Sequence, residues 1–405
     1  MTTSLPEGSP GQRPDQPASR RFLEFFSGIG LVHAALAPLG WSCAFANDND
    51  AKKAVTYQKN FPGVTLDQRD IREVPVEEIP TADLATASFP CIDLSQAGGR
   101  RGIHAEHSGI VWSFLEHIDS LDREGRAPKF LLLENVPGLL TLHGGSSIDV
   151  LLHEVARLGY AFDLVQVDAR HFIPQARNRV FIIAVKNAEL ATGAEMPDTH
   201  IRRYKVREVF ERNRHLPWVF FDFPSLPARS VSLDDVLLDI PKGDPRWWSA
   251  ERMKYFWDHL EKDHHTRLTE LLHSRTVTQF TAMRRGRRRG LREQIFNLRN
   301  DGLASCLRTP KGGSSIQFVV RVGGGEVEVR RITAIESGRL QGVGLSTHNP
   351  GYVFPESEQD GLFGFGDAVC VPAVQWVFEH SIQSYVDNSR LQTPLQLTMD
   401  LGVAV

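Results

Sequence analysis

The chain has 405 residues, 41% hydrophobic and 23% charged, a balance that excludes a fibrous or wholly disordered protein. That length exceeds what one core usually supports, so two domains are expected, and a net charge of −3 excludes a globally basic nucleic-acid binder. Four scattered cysteines (Cys43, Cys91, Cys306, Cys370), no C-x-x-C pair and no run of 18 apolar residues argue against a metal site, a disulfide framework or a membrane span, leaving a cytoplasmic protein as the expectation.

Met1 to Arg20 is rich in proline, glycine, serine and glutamine and offers little to bury. An apolar strand, Phe22 to Phe26, then runs into a tight turn (Ser27, Gly28, Ile29, Gly30) and a helix from Leu31 that stops at Gly40. Glycines here let the backbone approach a ligand at a helix N-terminus. The turn is not the dinucleotide fingerprint, because His33 stands at the third glycine position. The next strand, Trp41 to Ala46, ends in Asn47-Asp48-Asn49-Asp50, and a further acid follows at Asp70 before Ile71. An acid about 20 residues past the glycines is placed for ribose hydroxyls. One such acid is usually a helix cap. A glycine turn followed by two strand-end acids favours an adenosine pocket.

The run Leu84 to Phe89 leads into Pro90-Cys91-Ile92-Asp93-Leu94-Ser95 and then a glycine-rich stretch. Pro90 restricts the strand exit, placing Cys91 outside the carboxyl end of a strand. A lone cysteine is ordinarily a buried, inert thiol; the rest of the chain decides against that. Gly109 to Leu121 has helical periodicity, and Phe130 to Leu133 is a buried strand that stops at Glu134-Asn135-Val136-Pro137. A charge ending an apolar strand is costly unless paired or used, and the helix Ile148 to Leu158 begins too late to be capped by it. Tyr160 to Asp168 alternates as a strand. Arg177 and Arg179, two apart before the strand Val180 to Val185, would share one face and suit an anion or carboxylate.

Beyond Lys186 the alternation stops. Ala191 to about Val322 reads as irregular and carries Arg284, Arg285, Arg287, Arg288, Arg289 and Arg292, a run that is either a solvated face or a set of phosphate contacts. Leu307-Arg308-Thr309-Pro310-Lys311-Gly312-Gly313 reads as a polar loop. Order returns with a helix over Arg331 to Gly342 and a last helix over Val374 to Val386, preceded by Gly366-Asp367-Ala368-Val369.

Six pieces in this order, Phe-Phe-Ser-Gly-Ile-Gly, Phe-Pro-Cys, Glu-Asn-Val, Gln-Ala-Arg-Asn-Arg, Arg-Ile-Thr-Ala-Ile-Glu-Ser-Gly-Arg-Leu-Gln-Gly and Gly-Asp-Ala-Val, resemble the DNA (cytosine-5) methyltransferase family. The resemblance covers most of residues 21 to 386. It implies that Cys91 is the nucleophile adding to carbon-6 of cytosine, that Glu134 hydrogen-bonds ring nitrogen-3 and the exocyclic amine, that Arg177 holds base and thiolate in register, and that Arg179 is its partner, paired with Glu134 or backbone. It implies S-adenosylmethionine as methyl donor, with S-adenosylhomocysteine as product. The donor would be lined by Phe26, Gly28, Ile29, Gly30, Asp48, Asn49, Asp70, Ile71, Pro90, Val111, Asp367, Ala368 and Val369. The implied partner is double-stranded DNA with the target base flipped out, met by Ser95, Arg308 and the arginine run. Ile92-Asp93-Leu94 stands where the family usually has Gln-x-Phe, Asn49 where it has an aromatic, Asp367 where it has asparagine and Val343-Gly344 where it has Phe-Pro. None of these removes a catalytic group.

The expected fold is α/β, a doubly wound, mostly parallel, Rossmann-like sheet of the S-adenosylmethionine-dependent methyltransferase type with a smaller, irregular target-recognition domain. The expected division is a disordered lead-in (1–20), a catalytic and cofactor-binding domain (21–188), the recognition domain (189–325), a return segment completing the catalytic domain (326–388) and a tail (389–405). A monomer is expected. A tRNA cytosine-5 methyltransferase of the same fold keeps the same motifs, though it would suit a more compact recognition segment. An inactive DNA-binding subunit would be expected to lack Cys91 or Glu134. Sequence leaves open the recognised site and whether a restriction endonuclease or other defence protein accompanies the chain.

Overall fold

The computed structural model describes residues 20–90, 109–187, 195–274, 276–289, 291–310 and 315–389, without the side chains of 284–294. The lead-in, most of the tail, Cys91 and Ser95 lie outside the described residues.

Seven strands form the principal sheet: β1 (Arg21–Phe25), β2 (Ser42–Asn47), β3 (Leu66–Asp67), β4 (Leu84–Ala87), β5 (Phe130–Asn135), β6 (Tyr160–Asp168) and β7 (Asn178–Lys186). Their order is β3-β2-β1-β4-β5-β7-β6. The first five are parallel, while β7 pairs antiparallel with both β5 and β6. The chain winds outward from β1 to β3, then restarts at β4 on the other side of β1. That reversal makes the crevice past the ends of β1 and β4 the expected ligand position in an open α/β sheet.

Side-chain alternation with period two gives the sheet two buried faces. Leu23, Phe25, Leu131, Leu133 and Ile182 pack one face against α3 (Ile110–Arg123) and α4 (Ser146–Arg157). Phe22, Phe130, Leu132 and Phe181 pack the other against α1 (Leu31–Leu36) and a late helix, Val371–Phe378. Glu134 follows Leu132 by two, so it continues the second face beyond the point where apolar packing ends. The segment α2 (Ala51–Asn60) starts from Asp50, whose carboxylate accepts from the amides of Lys52 and Lys53.

The region read as irregular holds α5 (Tyr204–Arg212), α6 (Leu233–Val236), α7 (Ala250–Asp258), α8 (Lys262–Leu272) and a regular antiparallel sheet. That sheet comprises β8 (Thr278–Arg289), β9 (Leu291–Arg299), β10 (Gln317–Gly323) and β11 (Glu326–Arg331) in the order β11-β10-β8-β9; β11 lies past the expected boundary at 325, so the start of the expected return segment pairs with this sheet instead. The arginine run hides the strand pattern, because its residues show no apolar alternation. Only Thr278 to Met283 of β8 pairs with β10. Arg284 to Arg289 pairs with β9 alone, so the run extends past the sheet as a two-stranded ribbon.

The chain returns through α9 (Ala334–Arg339), α10 (Glu358–Asp367), α11 (Val371–Phe378), a π-helical turn (Glu379–Gln383) and α12 (Ser384–Ser389). Glu358–Asp387 is long and apolar enough to span a bilayer, yet 78% of its most apolar window is buried. Its hydrophobicity is that of core helices.

One buried ion pair joins the two sheets' territories. Glu336 accepts from both terminal nitrogens of Arg330 at 2.6 and 2.8 Å, from the Thr333 amide at 2.8 Å and from the Leu238 amide at 2.8 Å. Thr333 and Glu336 together form a capping box for α9. Glu336→Ala strands a fully buried guanidinium, and is expected to cost about 3–5 kcal/mol of unfolding free energy. Urea denaturation measures it; a loss under about 1 kcal/mol would show Arg330 finding another partner.

Candidate active site

A cavity of about 1070 Å³ opens where β1, β2, β4, β5 and β7 end. Pockets for one small ligand typically run to about 1000 Å³, so this cleft is at the upper end of that range.

Its floor is the turn after β1. Phe26 adopts a left-handed backbone (φ 55°), as do Gly28 (φ 56°) and Gly30 (φ 82°). A non-glycine residue held there costs about 1–2 kcal/mol, and such positions cluster where a ligand is gripped. The Gly28 amide donates to Asp48 Oδ2 at 2.8 Å, and the Asp50 amide donates to Asp48 Oδ1 at 2.9 Å. Ser27 N–H donates to the Asn47 carbonyl at 3.0 Å. The turn is therefore tied to the end of β2. A Cβ on Gly30 would sit 2.5 Å from the Phe61 ring, so Gly30 is dictated by packing and does not line the cavity. A Cβ on Gly28 would meet nothing within 4 Å.

Phe26, Gly28, Ile29, Asp48, Asn49, Pro90, Asp367, Ala368 and Val369 all line the cavity. Asp70, Ile71 and Val111 do not. Asp70 caps the turn Ile71–Glu73 and pairs with Arg72, Ile71 and Val111 are buried in the core, and Ile110 takes the lining position beside Val111. Asp367 pairs with Lys53 at 3.2 Å and accepts from Thr309 Oγ1.

Opposite the turn, Glu134 Oε1 lies 2.8 Å from Arg179 Nε, and both groups line the cavity. Arg179 also donates to the Asn178 carbonyl at 2.8 Å, so it meets both kinds of partner that the sequence suggests. Arg177 is placed differently. It is fully buried, donating to the carbonyls of Leu307 at 2.9 Å and Ala368 at 2.5 Å. Burial and the neighbouring Arg179 charge hold its guanidinium down to about 10. It clamps the segments carrying Leu307 and Ala368 against β7 and does not line the cavity.

Pro90, immediately before Cys91, is a lining residue. Asn135 Nδ2 donates to the Phe89 carbonyl at 2.8 Å, fixing the exit of β4 to the end of β5. Sequence reasoning missed Asn135, although its position beside Glu134 at an apolar strand's end was a signal. It also missed Cys306, which enters the wall 129 residues after Arg177. The backbone side of Arg308 packs under Gly366, where a Cβ would come 2.5 Å from the Thr309 amide. Arg284, Arg285, Arg287, Arg288 and Arg289 lie on the ribbon described above, with side chains outside the described residues.

Beneath the turn lies a buried polar group. Glu24 accepts from the His33 amide at 3.2 Å and from Tyr57 Oη at 2.9 Å, and Tyr57 Oη is 3.1 Å from His33 Nδ1. His33 stacks on Phe61 with ring centroids 3.7 Å apart. Burial lifts the Glu24 carboxyl to about 8, against the pull of the Tyr57 and His33 bonds, and lowers His33 to about 4.

The sequence model of the C-5 cytosine-specific DNA methylase family matches residues 20–383. The chain is 39% identical over 165 residues to the type II methyltransferase M2.BsuMI of Bacillus subtilis, which is 40% of this chain and 41% of that one. It is 25% identical over 363 residues to M.Bsp6I of a Bacillus species, 89% and 97% of the two chains. The fold is similar to that of the Dnmt2 methyltransferase of S. pombe, with a TM-score of 0.56 at 16% identity, covering 90% of this chain and 99% of the other.

The Glu24 carboxyl carries a pH prediction. Its folded pKa lies above the unfolded value of 4.5, so its contribution to stability is complete below that value and is lost as pH rises towards 8. Glu24→Gln should therefore lose less melting temperature than the wild type between pH 6 and pH 8.5. Parallel pH dependences of the two proteins would place the titration elsewhere.

Proposed function

The chain belongs to the C-5 cytosine-specific DNA methylase family, and from that premise we propose that it methylates carbon-5 of a cytosine flipped out of duplex DNA. The methyl group comes from S-adenosylmethionine. The observation that carries this reading is one cavity with the Asp48-tied glycine turn on one side and the Glu134–Arg179 pair on the other.

The donor pocket fits the residues present. Gly28 leaves open space beside the turn, and Ser27 Oγ is buried without a partner. Asp48 would hold the ribose, Phe26, Ile29 and Asn49 the adenine side, and Asp367 to Val369 the far wall. When bound, the sulfonium supplies an electrophilic methyl group.

Carbon-5 of cytosine is a weak nucleophile. Cys91 forms a bond from sulfur to carbon-6, moving electron density towards carbon-5 and ring nitrogen-3. Glu134 meets nitrogen-3 and the exocyclic amine, while Arg179 fixes the Glu134 carboxyl. After methylation carbon-5 gives up its proton, the sulfur–carbon bond breaks and the Cys91 thiolate leaves. The base must leave the stack for this, because its ring faces are covered in duplex DNA.

Recognition is assigned to residues 189–325. A two-stranded ribbon has the dimensions to enter a major groove, and the one here bears Arg284 to Arg289. Arg308 is placed on the cavity wall. Similarity to type II methyltransferases supports a role in a restriction-modification system.

The test uses duplex DNA with 5-fluorocytosine at target sites. Wild type should form an adduct that survives denaturing electrophoresis, since fluorine cannot leave carbon-5 as a cation. Cys91→Ser should bind the donor, form no adduct and transfer methyl groups at least 10²-fold more slowly, because a neutral hydroxyl is a far poorer nucleophile than a thiolate. Transfer by Cys91→Ser within tenfold of wild type would overturn the assignment.

A further inference from the structure

Among the described cysteines, Cys306 differs from the other two. Cys370 is buried in the second core face and its thiol is pushed up to about 12 by burial. Cys43, beside Glu24 and Tyr57, is also raised by burial. Cys306 lines the active-site cavity, and its sulfur stands among guanidinium groups. Arg177 Nη1 is 3.4 Å from Sγ, and Arg179 Nη1 and Nη2 are 3.9 and 4.0 Å from it. As a thiol it donates to the Leu307 carbonyl at 3.4 Å. Burial alone would raise this thiol, but the charges of Arg177 and Arg179, with Arg308 beyond them, outweigh burial and hold it below its ordinary value.

The placement is built by the backbone. Ala304 forms a parallel bridge with Gln175, its amide donating to the Pro174 carbonyl at 2.7 Å and its carbonyl accepting from Ala176 at 2.9 Å. Gln175, itself fully buried, accepts from the Leu307 amide at 2.9 Å through its side chain. The segment carrying Cys306 is thus laid beside the one carrying Arg177 and Arg179.

Arg179 is consequently held from three sides. Its Nε lies 2.8 Å from Glu134 Oε1, its Nη1 donates to the Asn178 carbonyl, and Nη1 and Nη2 both face Cys306. The contact with Glu134 uses only Nε, although a guanidinium and a carboxylate usually prefer two parallel bonds. We propose that Cys306 is a positioning residue, its sulfur holding Nη2 of Arg179, while the Asn178 carbonyl holds Nη1, so that Glu134 stays free to reach the base. Without an acceptor there, the guanidinium can turn and take Glu134 in a forked pair, drawing the carboxyl away from the cavity.

This role rests on the methyl-transfer reading and is tested on the full chain with Cys306→Ala, Cys306→Val and Cys306→Ser. Alanine and valine remove the acceptor with a smaller and a larger side chain, so a packing defect in one is not shared by the other. Both should lower kcat for methyl transfer roughly 10- to 100-fold, the scale of a misplaced reacting group. The KM for DNA and the affinity for S-adenosylmethionine should stay within about twofold, because neither ligand's binding depends on the turn of Arg179. Serine keeps an acceptor and should return kcat to within about threefold of wild type. Alanine and valine variants with wild-type kcat would overturn the proposal, as would a serine variant as slow as alanine, or losses that follow donor affinity instead of kcat. An inactive wild type would overturn the methyl-transfer reading itself, and this role with it.

Discussion

The bond from the Gly28 amide to Asp48 is the constraint on which the site depends. It joins the turn after β1 to the loop after β2, and the carboxylate's other oxygen takes the Asp50 amide where α2 begins. A left-handed Phe26 can persist only because surrounding contacts over-determine it. Asp48 supplies that restraint from above, and the buried Glu24, His33 and Tyr57 group supplies it from below. This side of the cavity is a backbone shape held by two carboxyl groups on opposite sides of one turn.

The opposite wall is assembled from greater sequence distance. Glu134 and Arg179 belong to neighbouring antiparallel strands, which set their side chains together on one face. Arg177 then fastens Leu307 and Ala368 to the start of β7, closing the wall with one segment from within the second region and one from the chain's return. The Arg330–Glu336 pair anchors the same return one step earlier, between β11 and α9. The segments around the four-stranded sheet and the seven-stranded sheet are thereby held together by buried arginines, each bonded to carbonyl or carboxylate oxygen. Such groups are costly to strand, which favours one fixed arrangement.

Much of this was legible in the chain. The apolar runs ending before the Ser27 turn, Asp48 and Glu134 are strands, because alternation and turn chemistry are local properties. Glu134 stood out for the same reason, as a charge no nearby helix could use. The separate fates of Arg177 and Arg179 were not legible: two residues sharing a face differ here only through carbonyls more than 100 residues away. Asp70 shows a converse limit, since an acid after a strand looks the same whether it faces a ligand or caps the next turn. The β8–β9 ribbon was hidden by its arginines, and Cys306 by a loop that gives no sign of its neighbours.

Isothermal titration of S-adenosylmethionine into wild type and Asp48→Ala most directly tests whether the Asp48-tied turn forms the donor pocket. Loss of the carboxylate leaves the Gly28 and Asp50 amides without their acceptor and removes the group assigned to the ribose. The account predicts binding weaker by about 1–3 kcal/mol in a variant whose sheet remains folded by circular dichroism. Affinity equal to wild type would contradict it and place the donor elsewhere in the cleft.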